Sequence, residues 1–300
     1  VKILTDDDLN FVATQESQFI LRPNEFSDEI LARFRGEIEY LGDNLPWSKT
    51  HSCVALRPCE VSIWSGYNGH GKSQILGQVV AWTLNKKWLI ASMEMKPSAT
   101  MQRMIRQIAG TRQPDDDYLK RFLNWTDEKL WIYDQQDSVK HERILGMIHY
   151  ASRELNINHI VIDSLMKCGI ATDDYASQKE FVDKLCWAAK TYNIHIHLVH
   201  HMRKGADEMK MPGKYDLKGS GDISDLVDNV FIVHRNKTKE GKIQKGDDVD
   251  EREPDCRLGV VKQRHGEWEG VFNLWFHKES LQYIPDCHNR PMPYKIINNS

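Results

Sequence analysis

The stretch GYNGHGKS, residues 66–73, lies between an apolar run, VSIW at 61–64, and a helix-compatible run, QILGQVVAWTL at 74–84. It reads Gly66-x4-Gly71-Lys72-Ser73, the pattern of a phosphate-binding loop set between a strand and a helix. Gly66, Gly69 and Gly71 let backbone N–H groups turn inward around a phosphate, and the helix N-terminus adds the positive end of its dipole. Lys72 can reach the outer phosphates and Ser73 can ligate Mg2+, while Asn68, His70 and Gln74 complete the candidate nucleotide-binding set. This unit commits the chain to a strand inside a sheet with a helix directly behind it.

The remainder continues in the same style. EVSIWSG, KWLIASME, LWIYD, HIVIDSL, IHIHLVHH and NVFIVHR are short β-branched or aromatic runs, with helical stretches at 72–86, 97–109, 138–155 and 177–192. Such alternation predicts an α/β fold with a mostly parallel sheet covered on both faces. Residues 256–284 read as antiparallel strands at the sheet edge, 237–255 as a solvated loop and 287–300 as a loose tail. At the other end, SDEILARFRGEIEYL (27–41) predicts a helix capped by Ser27, with Ile30, Leu31, Phe34 and Ile38 along one face. It has little core of its own, so it is expected to dock on this domain or a neighbouring subunit. GDNLPWSKTHS (42–52) then reads as a linker. The expected organisation is an N-terminal segment 1–45, an ATPase domain 46–286 and the tail. The chain opens on Val1 rather than Met, which suggests a further part upstream.

Composition narrows the classes. A net charge of −3 argues against a broad basic surface, though not against a narrow basic loop. The 6 cysteines show no CxxC pair, as expected for reduced thiols. There is no apolar run of about 18 residues and no signal peptide, so no membrane partner is expected.

A phosphate loop that supports hydrolysis needs acidic partners. Asp163, closing the run HIVID, is placed to hold the metal from a strand end. Glu94, in IASMEM, ends the strand after the loop's helix; in a parallel sheet that end opens on the same edge as the loop. It can therefore position or deprotonate an attacking water. No basic lid of a nucleotide kinase is visible. The cluster His195, His197, His200 and His201 sits on a buried strand without an adjacent cysteine or carboxylate, which favours packing or hydrogen bonding over a metal.

These elements, with those that follow, resemble the hexameric RecA-like replicative helicases, a group that includes phage primase–helicases, Twinkle and, more distantly, DnaB. The resemblance covers roughly residues 45–284. SMEM (92–95) resembles the motif whose glutamate is the catalytic base, and VIDSL (161–165) is similar to the metal-binding strand. LVHHMRKG (198–205) is similar to the strand whose histidine, here His201, senses the γ-phosphate; a shift of one residue would select His200. KYDLKGSGDISDLVDNVFIVHRN (214–236) resembles the DNA-contacting segment. VVKQRHGEWEG (260–270) resembles the strand with a Lys-x-Arg pair, here Lys262 and Arg264, that enters the neighbouring subunit's site. Arg235 and Phe276 are similar to the pair that holds the base.

The resemblance implies a RecA-like P-loop NTPase core, ATP or a dNTP with Mg2+, a homo-oligomeric ring and movement along single-stranded DNA with unwinding of duplex. It further implies an upstream primase or other replisome partner, and leaves the compartment between bacterial cytoplasm, for a phage protein, and mitochondrial matrix. On the DNA side, Arg203, Lys204, Lys210 and Lys218 supply charge, and Gly219, Ser220 and Gly221 allow close backbone approach. Asp222 and Asp225 depart from that pattern by placing negative charge after the glycines. A strand-pairing recombinase, or a DNA-binding or helicase-loading module switched by ATP, shares most of these features; filaments rather than closed rings would mark the first, and absence of multiple turnover the second.

Overall fold

The computed structural model describes residues 13, 17, 20–35, 42–202, 209–213, 216, 217, 221–292 and 294. Contacts divide the chain into two units, Val1–Leu41 and Gly42–Ser300. The boundary falls before residue 45 for a physical reason. Asp43 pairs with Leu56 in an antiparallel bridge, and Leu45 and Trp47 are fully buried, so residues 42–52 belong to the larger unit and are not a linker.

In the smaller unit a 3-10 turn, Pro23–Phe26, runs into helix α1, Ser27–Phe34. Ser27 does not cap this helix as expected. The turn starts earlier, at Pro23, with Glu25 accepting from the Arg22 amide, and the Ser27 hydroxyl donates to the Asn24 carbonyl. Ile30, Leu31 and Phe34 are exposed, and Ile38 lies outside the described residues.

The larger unit is built on one nine-stranded sheet in the order β3-β2-β4-β5-β1-β6-β7-β8-β9. Its strands are β1 (Val61–Gly66), β2 (Trp88–Ser92), β3 (Leu130–Ile132), β4 (His159–Asp163), β5 (His195–His201), β6 (Asn229–Arg235), β7 (Cys256–Gln263), β8 (Gly270–His277) and β9 (Gln282–Ile284). Strands β1 to β6 pair in parallel, and β7 to β9 continue the sheet antiparallel. Helices α2 (Lys72–Trp82), α3 (Pro97–Ala109), α4 (Asp116–Thr126), α5 (His141–Glu154), α6 (Tyr175–Tyr192), α7 (Gly221–Leu226) and α8 (Lys237–Lys245) fill the connections.

The central strands are apolar on both sides because both sides are covered. Ile63, Ile162, Ile196 and Leu198 pack toward α5 and α6. Trp64, Val161, Val199 and Phe231 pack toward α2, α3 and α4, with Trp64 stacked on Phe231 at 4.3 Å. A polar chain crosses this second layer: Trp64 Nε1 donates to His197 Nδ1 at 3.1 Å, His197 meets His159 at 3.2 Å, and His159 meets Asp43 at 2.9 Å. His195 bonds the Ser62 hydroxyl at 2.8 Å.

Three further expectations need correction. Residues 237–245 are helical, because Asn236 caps the first turn through the Lys239 amide, Lys239 pairs with Asp255 at 2.9 Å, and Gly246 ends the helix at φ 78°. Helix α4, absent from the sequence reading, starts on Asp115, whose carboxylate accepts from the Tyr118 amide at 2.7 Å. The described part of the tail is not loose: Met292 N donates to Gln282, and Tyr294 packs edge-on against Trp82 and Trp125.

Candidate functional site

The loop between β1 and α2 takes its shape from its glycines. A Cβ at Gly66 would collide with the Val233 carbonyl, and one at Gly71, where φ is 90°, with the Tyr283 hydroxyl; Gly69 at φ 75° faces open space. Gly71→Ala is therefore expected to lower stability by about 2 kcal/mol or more and to abolish nucleotide binding. A urea melt and a nucleotide titration check this; wild-type values in both would show that the loop tolerates a side chain there.

Helix α2 is held against the far edge of the sheet by glutamines. Gln78 bonds both the N–H and the carbonyl of Tyr283, and the Gln74 amide donates to the Leu281 carbonyl at 2.8 Å. The Gln74 side chain, expected in the cradle, thus faces β9. The structure also moves His70 out of the cradle. Its ring is fully buried under the loop, accepting from the Arg235 amide at 3.1 Å and packing on Tyr67 and His234. Burial first, then the neighbouring His234 and cations, push its pKa down to about 4. Asn68 stands exposed at the crown of the loop.

Four side chains expected at the reacting end come together at the C-terminal edge of the sheet. Lys72, 6% exposed, donates to the Gly66 and Tyr67 carbonyls at 2.9 and 3.1 Å. Burial lowers its pKa, and the facing Asp163 and Glu94 oppose that shift. Ser73 Oγ donates to Asp163 Oδ2 at 2.5 Å, and Ser164 Oγ donates to Glu94 Oε1 at 3.1 Å. Burial raises the Asp163 pKa, Glu94 adds to the rise, and the Ser73 bond, Lys72 and Arg103 oppose it. A hydroxyl and a carboxylate in direct contact at the mouth of a phosphate loop form a hard-oxygen pair, the donor type that suits Mg2+.

The parallel register sets Gly66 opposite His201 and Ser65 opposite His200. Strand alternation puts the two histidines on opposite faces of the sheet. His201 lies on the face of Val199, the one covered by α2, whereas His200 is buried on the opposite face beside Leu165, Met166 and Gln178. Arg235 and Phe276, far apart in sequence, meet with the guanidinium 5.8 Å from the ring centre. Arg235 also pairs with Glu240 and donates to the Gly69 carbonyl, and a base between guanidinium and ring would need the two to part.

Lys262 and Arg264 do not join this group. Lys262 Nζ donates to the Ser224 and Asp225 carbonyls at 2.7 and 3.0 Å. Arg264 donates to the carbonyls of Asp225, Leu226 and Val227 and pairs with Asp228 at 3.2 Å. Of the strand-binding candidates, Lys210 and Gly221 are exposed, and Arg203, Lys204, Lys218, Gly219 and Ser220 lie outside the described residues. A bridge between Met202 and Leu217 closes the base of that stretch.

Two residues near the site escaped the sequence reading. Ser164 is the hydroxyl on Glu94, and its only signal was its place directly after Asp163. Arg103 lines the same cleft as Ser73, Met95 and Asp163, with its guanidinium 2.9 Å from Met95 Sδ. It lies on α3, where no local motif marks it.

A phosphate loop on β1, carboxylates at the ends of β2 and β4, and an antiparallel extension beyond β6 define the RecA-like class of ATPase domains. One solved ATPase domain superposes with a TM-score of 0.71 at 15% identity, covering 86% of this chain and 97% of that one. A DnaB-like replicative helicase, solved in a study of its interactions with primase, gives 0.68 at 13% identity, covering 88% and 67%. The chain belongs to the DnaB-like helicase C terminal domain family, whose profile matches residues 51–284. Among curated proteins it is 24% identical over 208 residues to the DNA helicase/primase of Enterobacteria phage T3, and 22% identical over 235 residues to the chloroplastic/mitochondrial Twinkle homolog of Arabidopsis thaliana. Those matches take in 61% and 71% of this chain but only 37% and 33% of the relatives, so it spans about a third of their length. No helix among the described residues is long and apolar enough to cross a membrane.

Proposed function

We propose that this domain hydrolyses ATP, or a dNTP, at the interface between copies in a ring, moves along single-stranded DNA and unwinds duplex ahead of it. The observation that carries the reading is the separation of the two halves of the chemistry. Lys72, Ser73, Asp163 and Glu94 converge at the loop, while Lys262 and Arg264 are bonded to carbonyls 224–227 of the same chain. Lys72 and Arg103 are this chain's own cations at the cleft, and in this reading Lys262 and Arg264 of a second copy complete it.

In this reading the loop amides and Lys72 bind the phosphates, and Glu94, oriented by Ser164, takes the proton of the attacking water. Ser73 and Asp163 hold Mg2+, which when bound neutralises charge on the phosphate oxygens. Arg235 and Phe276 hold the base with little reading of its identity. His201, beside Gly66, registers the γ-phosphate and passes its presence to the stretch beyond Met202. That stretch and the segment ending at Gly221 follow the DNA backbone, with Arg203, Lys204, Lys210 and Lys218 as cations. An upstream primase or replisome partner belongs to the same reading.

Mixed oligomers test it. Lys72→Ala subunits lack a working pocket but retain Arg264, and Arg264→Ala subunits have the reverse defect. Mixing the two should restore DNA-stimulated hydrolysis that neither shows alone, because an arginine acting in trans contributes about 10³–10⁵ in rate. Mixtures that stay inactive would remove the shared site. Electron microscopy of the same samples with an oligonucleotide should show closed rings; open filaments would favour a recombinase.

A further inference from the structure

Helix α7 is short, and its last carbonyls have no partners within the helix. The negative end of its dipole lies there too. Lys262 and Arg264 together supply donors to the four successive carbonyls at 224–227. The opposite end of α7 is held by the fully buried Ile223 and by an exposed pair between Asp222 and Lys179 at 3.0 Å. Gly221, where α7 begins, is the described end of the segment assigned above to DNA. The same strand touches the other described piece of that region: a Cβ on Gly259 of β7 would strike the Met211 methyl, next to Lys210.

We propose that Lys262 and Arg264 exchange between two mutually exclusive sets of partners, the 224–227 carbonyls of their own chain and the triphosphate held by a neighbouring copy, so that α7 is clamped or released according to the neighbour's nucleotide. This rests on the trans-acting role of Arg264 given above. Arg264 makes these bonds through Nη2 to the three carbonyls and Nε to Asp228, and in this proposal they break when the guanidinium reaches a phosphate in another subunit. When it leaves, α7 loses the cations at its C-terminal end, and the element leading out of the DNA segment is free to shift. The ATP site and the DNA segment then bias the same two-state element, which is what coupling between them requires.

Asp225 gives access to this exchange without touching the cations. Its side chain is exposed, it lies in the last turn of α7, and its carbonyl accepts from both Lys262 and Arg264. Asp225→Lys places a positive charge beside the clamp and should weaken it. DNA-independent ATP turnover is expected to rise about fivefold, with the stimulation by single-stranded DNA shrinking by the same factor; Asp225→Asn should give about half that effect on a logarithmic scale. The rise should vanish in Asp225→Lys/Arg264→Ala. An unchanged DNA-independent rate in Asp225→Lys, or a rise that survives loss of Arg264, overturns the exchange. Arg264→Ala alone separates the two levels. If it keeps full DNA-stimulated turnover, the trans role itself fails and the exchange with it; if it loses stimulation while Asp225→Lys behaves as wild type, only the exchange fails.

Discussion

Glu94→Gln is expected to retain nucleotide binding and to lose turnover by about 10²–10⁴-fold, the usual contribution of a positioned general base. The substitution keeps the shape of the side chain, and its amide oxygen can still accept from Ser164, whose hydroxyl lies 3.1 Å from the carboxylate. What disappears is the negative charge that, in the proposed reading, takes the water's proton. Lys72→Ala should behave differently: it removes a buried cation from the loop, so binding and hydrolysis are expected to fall together. Fluorescent-nucleotide binding and phosphate release, measured on both variants, separate the two defects. Wild-type turnover in Glu94→Gln would take the base role away from this residue.

The second large effect is acid instability well above the pH at which exposed carboxylates titrate. His159, His195 and His197 are buried and neutral; burial is the first cause of each lowered pKa, and for His195 it reaches about 3. Trp64 donates only, so His197 Nδ1 accepts, its Nε2–H donates to His159, and His159 Nε2–H donates to Asp43. A proton added to His197 Nδ1 has no acceptor to meet. In the unfolded chain these rings titrate near 6.5, so below that pH the unfolded state binds the proton that the folded state refuses. Stability is thus complete above about pH 6.5 and is lost as pH falls, by about 2 kcal/mol at pH 5 for His195 alone. Glu60 and Asp163, both raised by burial, act with the opposite sign and flatten part of the slope. Urea melts at pH 7, 6 and 5 should show a falling midpoint. A constant midpoint would mean that the rings are charged, or reach water, in the folded protein.

The strands and the phosphate loop were legible in the sequence because their signals are local. VSIW, WLIAS and HIVID carry β-branched and aromatic residues in runs short enough to be strands, and glycine spacing marks the loop. Helix α8 was misread because its stability lies in a cap and in an ion pair between Lys239 and Asp255, 16 residues apart, rather than in an apolar stripe. The fate of Gln74 and His70 was hidden for a related reason. Both sit inside the motif, but β9 and β6 claim their side chains, and those strands arrive from 160 or more residues downstream.

By itself the sequence determined the class of fold, the glycine-rich loop between β1 and α2 and the two strand-end carboxylates, since each depends on spacing within a few residues. Only the tertiary structure decided that His200 and His201 fall on opposite faces with His201 in register with Gly66, that Arg235 meets Phe276, and that Lys262 and Arg264 rest on the end of α7. Those outcomes depend on which strands lie side by side and in what register, and hydrogen bonding across the sheet sets that only after distant segments have come together.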